Sequence, residues 1–294
     1  MTVTQRPGWV DDALFPFVSR FIDIDGHTVH YIDEGGEGGP TLLFLHGNPT
    51  WSFVYRDVIK ELRTEFRCVA IDYPGFGLST AAPGYGYLPV EHAKVVGAFV
   101  EALGLRRVTV VVHDWGRPDR AVGGGEPSGR LRSTGTGQHV GLADGSPARP
   151  DHVARDGRPD RSTADPAVQP IRQPDGSRGG ASAGQTQPRE MGHYQKALDN
   201  PARRDASAVF PRELTASRAF LAEVEAGLPA IADMPALIIW GGDADIAFRS
   251  DELRRWEQTF ADHRTVIAHG AGHFVQSDAP EQFAAAIRDW HPRA

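Results

Sequence analysis

Three short, almost continuous apolar runs constrain the fold of this chain more than any other feature. They occupy residues 41–45, 68–71 and 108–112. Runs of this length are typical of strands buried on both faces, as in a parallel sheet that helices cover on both sides. Between the second and third runs, apolar residues from about Val90 to Leu103 recur at helical spacing, and Gly104 follows as a typical helix terminator. Strands alternating with amphipathic helices predict an α/β fold with a mostly parallel sheet.

Two further regions extend this pattern. Near the N-terminus, residues 21–24 and 28–33 flank Asp25-Gly26, which predicts a β-hairpin. After about Met191 the alternation of strands and helices resumes, with Ser250 as a helix cap and Pro280 as a helix start. The predicted strands there cover residues 236–240 and 265–268, and the predicted helices cover residues 250–260 and the residues from 280 onward.

Size and charge exclude several classes of function. The 294 residues suffice for one large α/β domain with a smaller insertion. A formal net charge of -7 argues against nucleic acid as a partner, because phosphate binding requires a basic surface. No apolar run reaches the roughly 18 residues of a membrane span, and the first residues lack the apolar segment of a signal peptide. We therefore expect neither nucleic acid nor a membrane among the partners.

Cys68 is the only cysteine of the chain. A single cysteine cannot form an internal disulfide, so a reducing cytoplasm is the simplest location. Its neighbours form a buried-strand pattern, which indicates a core residue rather than a nucleophile. We expect a cytoplasmic protein and a monomer.

Polar loops rich in histidine and aspartate follow the predicted strands. They are residues 46–51, 72–79, 113–116, 240–245 and 270–274. The carboxyl ends of parallel strands meet at one edge of a sheet, which is where open α/β sheets bind their ligands. His113 and Asp114 follow the third strand, Asp243 and Asp245 come later, and His273 comes last. This order of nucleophile, acid and histidine is that of α/β hydrolases, with aspartate at the turn where esterases place serine.

Two motifs at this edge resemble one enzyme family closely. Residues 46–51 read His-Gly-Asn-Pro-Thr-Trp, and residues 113–116 read His-Asp-Trp-Gly. Together they are similar to the haloalkane dehalogenases, in particular to the group that binds halide with an Asn and a Trp. The resemblance covers about residues 15–116 and 191–294. It implies an α/β-hydrolase fold with a helical cap insertion, and hydrolysis of haloalkanes to an alcohol and a halide ion without a cofactor or metal.

The resemblance also implies roles for individual residues. Asp114 would be the nucleophile, which attacks an sp³ carbon and forms an alkyl ester. Hydrolysis of that ester at the carbonyl carbon of Asp114 would regenerate the carboxylate, with His273 as the base that activates water. The side chains of Asn48 and Trp115 would bind the departing halide, and their backbone N–H groups would form the oxyanion hole.

The acid that orients His273 has two candidates, Asp243 and Asp245. Such an acid holds the imidazole tautomer and stabilises its cation. In the family, the acid precedes a run similar to Ile-Ala-Phe-Arg. Residues 246–249 have that sequence, although one extra residue separates the run from Trp240. We favour Asp245.

Residues 117–190 differ in composition from the rest of the chain. They contain no Phe, Trp, Tyr or Met, and glycine and proline make up about 30% of them, a level typical of disordered or low-complexity segments. A structureless insertion of this length is rare inside an α/β core. The domain division that we predict has four parts: residues 1–116 and 216–294 form the two parts of the core, 117–190 form an anomalous segment, and 191–215 form the end of the cap.

A change of reading frame would account for the anomalous segment. The family continues as Asp-Trp-Gly-Gly-Pro-Ile-Gly, whereas residues 117–120 of this chain are Arg-Pro-Asp-Arg. One GC-rich coding of the family version, GGC GGC CCG ATC GGG, contains CGG CCC GAT CGG out of phase, which encodes Arg-Pro-Asp-Arg. We therefore predict a frameshift at about Arg117 and a compensating one near Glu190, with a natural low-complexity insertion as the alternative. On this interpretation the chain as printed does not fold into an active enzyme.

Two other functions stay open on the sequence alone. An epoxide hydrolase uses the same set of aspartate, histidine and aspartate but would need cap tyrosines to protonate the epoxide oxygen. Residues 191–215, the predicted end of the cap, contain Tyr194. An inactive product of a frameshifted gene is the other possibility. For the leading function, the expected partners are a small halogenated hydrocarbon, water and the halide ion.

Overall fold

The computed structural model describes residues 5–36, 39–114, 188–242 and 250–291, and the backbone of 131–137. The strands are β1 (Arg20–Ile24), β2 (His27–Glu34), β3 (Thr41–Leu45), β4 (Arg67–Ile71), β5 (Val108–Val112), β6 (Leu131–Gly137), β7 (Ala236–Gly241) and β8 (His263–Ala268). They form one eight-stranded sheet in the order β1-β2-β4-β3-β5-β6-β7-β8. The pairs β1·β2 and β2·β4 are antiparallel and all the others are parallel. The predicted mostly parallel sheet is confirmed.

Helices flank this sheet. They are α1 (Arg56–Leu62), α2 (Pro89–Ala102), α3 (Pro188–Ala197), α4 (Pro201–Ala216), α5 (Arg218–Gly227), α6 (Ser250–Thr259), α7 (Val275–Asp278) and α8 (Pro280–Trp290), with 3-10 helices at Ser52–Tyr55 and Leu228–Ala230. The three helices predicted at about Val90, Ser250 and Pro280 are α2, α6 and α8. Gly104 has a φ of 61° just after α2, a value that glycine adopts without strain. Across the described ranges, no helix is long and apolar enough to cross a membrane.

The central strands β3 and β5 are buried over their whole length. Because alternate side chains of a strand point to opposite faces, Leu42 and Phe44 join the apolar cluster that includes α1 and α8. Leu43 and Leu45 join the opposite cluster, which includes α2. Cys68 lies fully buried in the first cluster, and burial raises the pKa of its thiol. Helices therefore cover both faces, which explains why the predicted strands lack alternating polar residues, and Cys68 is a core residue as predicted.

The predicted hairpin of β1 and β2 is also confirmed. The turn residues Asp25 and Gly26 have φ angles of 51° and 82°, and Ile24 pairs with His27 directly across the turn. Two consecutive positive φ angles are typical of the type I′ turn, which the sequence Asp-Gly favours.

Strand β6 was not predicted from the sequence. It lies between β5 and β7 and runs parallel to both, although its sequence, Leu-Arg-Ser-Thr-Gly-Thr-Gly, has little apolar character. A gap at this position would leave unpaired backbone N–H and C=O groups on both neighbours. Because strands pair through the backbone, a strand can complete the sheet here without the apolar pattern that reveals the other strands.

Apart from β6 and residues 188–190, which begin α3, residues 117–190 lie outside the described part of the chain. The frameshift and the domain division at 116 and 190 therefore stay predictions.

Candidate active site

Asp114 lies at the carboxyl end of β5, in a turn with an unusual backbone conformation. Its φ is 54°, a left-handed value that residues other than glycine adopt mainly where the surrounding structure enforces it. The loop after β3 lies against this turn: a Cβ on Gly47 would come within 2.4 Å of the Cβ of Asp114. Only glycine fits at position 47 without a shift of the backbone. The turn thus holds the Asp114 carboxylate at the edge of the sheet where α/β proteins bind ligands.

Asn48 contacts Asp114 directly. Its backbone N–H donates a hydrogen bond to Oδ2 of Asp114, with 2.9 Å between the two atoms. A backbone donor in this position stabilises negative charge on that oxygen, which is the physical basis of an oxyanion hole. The structure therefore brings together two of the residues that the sequence singled out.

The side chain of Asn48 has a partner that sequence reasoning missed. Ser207, on α4, donates from Oγ to Oδ1 of Asn48 over 2.9 Å. Ser207 is 2% exposed, whereas Asn48 is half-buried. A lone serine within a helix carries no pattern in the sequence that would have pointed to this contact.

His273 lies in the loop between β8 and α7, next to the turn of Asp114. Its backbone carbonyl accepts a hydrogen bond from Nε2 of His113 at 2.9 Å, and the two imidazole rings meet edge to face with centroids 4.9 Å apart. Because His113 immediately precedes Asp114, this contact joins the loop of His273 to the turn of Asp114.

Asp278 also holds the loop of His273 in place. Its Oδ2 accepts a hydrogen bond from the backbone N–H of Gly272 at 2.8 Å. Burial raises the pKa of the Asp278 carboxyl, and the Gly272 N–H and the nearby His273 oppose that rise. Hydrogen bonds at the neighbouring residues Gly272 and His273 therefore fix the loop that carries His273.

Asp72 supports the loop 72–79 at the end of β4. This fully buried carboxylate accepts hydrogen bonds from the backbone N–H groups of Ser52 and Leu78, and from Nδ1 of His30, each at 2.8 Å. Burial alone would raise the pKa of Asp72, but His30 and the N–H donors hold it below its usual value. These contacts occupy both carboxylate oxygens, so the loop 72–79 has a structural role.

Three predicted site residues, Trp115, Asp243 and Asp245, lie outside the described residues, and their roles stay predictions. The nearest described residue before the two acids is Gly242, whose backbone N–H donates to the carbonyl of Ala271 at 3.1 Å. The chain therefore leaves β7 beside the loop of His273.

The described residues of the site thus supply a carboxylate, a backbone donor in contact with it and a histidine loop beside it. A carboxylate of this kind can attack a substrate as a nucleophile, and the N–H group beside it can stabilise an oxyanion. Within the described ranges, no three His, Cys, Asp or Glu side chains are grouped in a way that could hold a metal ion.

Sequence comparison finds a relative that matches almost the whole chain, and other matches that cover only part of it. Residues 40–116 match the family model described as alpha/beta hydrolase fold. The chain is 40% identical to Haloalkane dehalogenase 2 of Mycobacterium tuberculosis over 289 residues, which cover 94% of this chain and 96% of that protein. It is 39% identical to a haloalkane dehalogenase of Mesorhizobium japonicum over 112 residues, which cover 35% of this chain and 36% of that protein. The family match ends at Gly116, where the composition of the chain changes.

Comparison of structures gives the same fold. The haloalkane dehalogenase DbeA from Bradyrhizobium elkani USDA94 superimposes with a TM-score of 0.73 at 20% identity, over 93% of this chain and 97% of that chain. Cfl2 from Burkholderia cenocepacia superimposes with a TM-score of 0.69 at 21% identity, over 93% of this chain and 95% of that chain. These likenesses establish the α/β-hydrolase fold.

Proposed function

This chain belongs to the haloalkane dehalogenase family of α/β hydrolases, and on that basis we propose that it hydrolyses carbon–halogen bonds of small haloalkanes to an alcohol and a halide ion. The family predicted from the two motifs is thus confirmed. The observation that supports the proposed chemistry is the hydrogen bond from the Asn48 N–H to the Asp114 carboxylate, in a turn where Asp114 has a φ of 54°. A carboxylate held in this way can act as a nucleophile whose ester is later hydrolysed.

In the proposed first step, the Asp114 carboxylate attacks the carbon that carries the halogen. A C–O bond forms while the carbon–halogen bond breaks, and the bonding electron pair leaves with the halide. The products are an alkyl ester of Asp114 and a halide ion. The side-chain N–H groups of Asn48 and Trp115 are the proposed donors to that anion, because such donors stabilise an anion more strongly in a water-poor site than in water.

In the proposed second step, His273 takes a proton from water, which attacks the ester carbonyl carbon of Asp114. Negative charge develops on the carbonyl oxygen, where the Asn48 N–H stabilises it. The bond to the alkoxy oxygen then breaks, the alcohol leaves with the proton from the imidazolium, and the new carboxyl group loses its proton to restore Asp114. Asp245 is the proposed acid that orients His273. The two steps consume only water, so the proposed reaction needs no cofactor.

The location, the oligomeric state and the domain division of the protein are part of the same proposal. We propose a cytoplasmic location, which the single buried cysteine supports, and a monomeric state. Residues 1–116 and 216–294 are proposed as the catalytic core, and 191–215 as the end of the cap.

Epoxide hydrolysis is the less well supported alternative. It would require a cap tyrosine as the acid, and the sequence offered Tyr194 for that role. Tyr194 is buried, and its hydroxyl interacts with Ser277 on α7 and Arg56 on α1. These contacts engage the hydroxyl in holding α3 to the core.

Release of bromide from 1,2-dibromoethane by the purified chain tests the proposed function. The assay includes a second form, the restored-frame protein, in which residues 117–190 are replaced by the alternative reading of the same DNA. We expect bromide release from at least one form, its loss in Asp114→Ala, and its retention in Asp12→Asn, a control at a side chain that is 93% exposed. If neither form releases bromide, the proposed dehalogenation is excluded. If Asp114→Ala releases as much bromide as the unsubstituted protein, only the role of Asp114 as the nucleophile is excluded.

A further inference from the structure

The carboxamide of Asn48 is held by a residue from a distant part of the chain. Ser207 lies 159 positions away and donates from Oγ to Oδ1 of Asn48 at 2.9 Å. A serine within a helix often donates instead to a backbone carbonyl of its own helix. Ser207 is 2% exposed and Asn48 is half-buried, so this hydrogen bond lies at the edge of the buried region.

Helix α4 fixes the position of Ser207. The buried residues of this helix are Ala206, Ser207 and Phe210. The ring of Phe210 stacks on His92 with 5.1 Å between centroids and an interplanar angle of 12°. Ala206 packs against the loop after β4, since its Cβ lies 3.0 Å from the position that a Cβ on Gly75 would take. These contacts dock α4 so that the Ser207 hydroxyl faces Asn48.

A carboxamide has one end that accepts hydrogen bonds and one end that donates them, and a half-turn exchanges the two ends. A halide ion is stabilised by the N–H end and repelled by the oxygen. After a half-turn the Nδ2–H group would face Ser207, and the Ser207 hydroxyl would have to accept a hydrogen bond instead of donating one. In the orientation that the structure shows, Oδ1 accepts from Ser207, so Nδ2 of Asn48 lies on the side away from Ser207.

We propose that Ser207 is a positioning residue of the halide site, which orients the Asn48 carboxamide so that its N–H end faces the departing halide. This inference rests on the proposed function, in which Asn48 binds the halide. It adds a residue of α4 to a site whose other parts come from loops at the carboxyl edge of the sheet. Halide affinity then depends on the docking of α4 as well as on the loop after β3.

Bromide titration of Ser207→Ala and Ser207→Thr, followed by tryptophan fluorescence, tests the proposal. The chain as printed and the restored-frame protein are both titrated, and the variants are made in each form that binds bromide. Loss of one buried hydrogen bond should raise the bromide Kd about fivefold in Ser207→Ala. Ser207→Thr keeps a hydroxyl and should restore most of the affinity. The control Ser217→Ala, at the end of α4, should leave the Kd unchanged.

A double-mutant cycle with Asn48→Ala separates positioning from a general loss of structure. If Ser207 acts through Asn48, then Ser207→Ala should have no further effect on the bromide Kd once Asn48 is alanine. An equal weakening in both backgrounds, or an unchanged Kd in Ser207→Ala alone, would overturn the role of Ser207 and leave the proposed function intact. Absence of bromide binding in both unsubstituted forms would overturn the proposed function together with this inference.

Discussion

Nε2 of His113 donates a hydrogen bond to the backbone carbonyl of His273 over 2.9 Å. A carbonyl oxygen can only accept a hydrogen bond, so Nε2 of His113 carries a proton. The residue before the proposed nucleophile therefore holds the loop of the proposed base, although the two histidines are 160 positions apart in the sequence. This hydrogen bond fixes the loop of the proposed base against the turn of the proposed nucleophile.

We expect His113→Phe to lower turnover about tenfold or more, because small displacements of a catalytic group have large effects on rate. The phenylalanine ring keeps the shape of the imidazole but cannot donate to the carbonyl of His273. Bromide release and urea unfolding, measured on the same samples, separate the effect on rate from the effect on stability. The control His269→Phe lies at an exposed position and should behave like the unsubstituted protein. Equal turnover in the two variants would show that the hydrogen bond from His113 to the carbonyl of His273 does not affect the rate.

The variant His273→Phe should accumulate the alkyl ester of Asp114. Without a base to activate water, the first step proceeds and the second does not. Intact-protein mass spectrometry after reaction with 1,2-dibromoethane should find a mass increase of one bromoethyl group, and one bromide ion should be released per enzyme molecule. Asp114→Ala should show no mass increase. Continuous turnover by His273→Phe would refute the role of His273 as the base.

Asp245→Asn should reduce turnover by about 10⁴-fold, by analogy with the loss of the orienting acid in other triads. The matched variant Asp243→Asn should have a much smaller effect. Both are compared by kcat for bromide release. A larger loss in Asp243→Asn would show that Asp243 is the acid and that the extra residue after Trp240 does not shift the position of the acid.

The folded protein should lose stability as the pH falls below about 6.5, in part because of His92. Burial lowers the pKa of His92 to about 3 in the folded state, from an ordinary value of 6.5. Between these pH values the unfolded chain binds a proton that the folded chain does not. The free energy of unfolding should therefore decrease by about 1.4 kcal/mol per pH unit for this group.

The variant His92→Phe, which keeps an aromatic ring against Phe210 but cannot titrate, isolates this contribution. Urea unfolding between about pH 7 and about pH 5 should give a flatter pH dependence for His92→Phe than for the unsubstituted protein. His269→Phe should keep the original dependence. If all three proteins have the same slope, His92 is not the group that titrates.

Resequencing of the coding DNA across codons 110 to 195 should show two compensating single-base changes. The restored-frame protein should be more stable and more active than the chain as printed. The printed residues after Asp114 offer no apolar face for a helix against β5. Burial of several hundred Å² of apolar surface contributes on the order of 10 kcal/mol, which is comparable to the stability of a whole domain. An unchanged DNA reading, with cooperative unfolding and bromide release by the printed chain, would refute the frameshift.

The sequence by itself determined the strands β3, β5 and β7 and the helix α2, because burial on two faces and helical periodicity are both recorded in consecutive residues. It also identified Asn48 and Asp114 as neighbours at one edge of the sheet. That inference was possible because the carboxyl ends of parallel strands meet at the same edge, and because both residues lie in motifs of a recognisable family.

Only the tertiary structure decided which distant residues complete the site. The contact of Ser207 with Asn48 spans 159 positions and depends on how α4 docks against the loop after β4, which no local pattern encodes. Strand β6 was hidden for a different reason, since its pairing with β5 and β7 uses backbone groups that every residue type except proline provides. Local sequence patterns report the burial of each element, whereas partners across the chain are selected when the elements pack together.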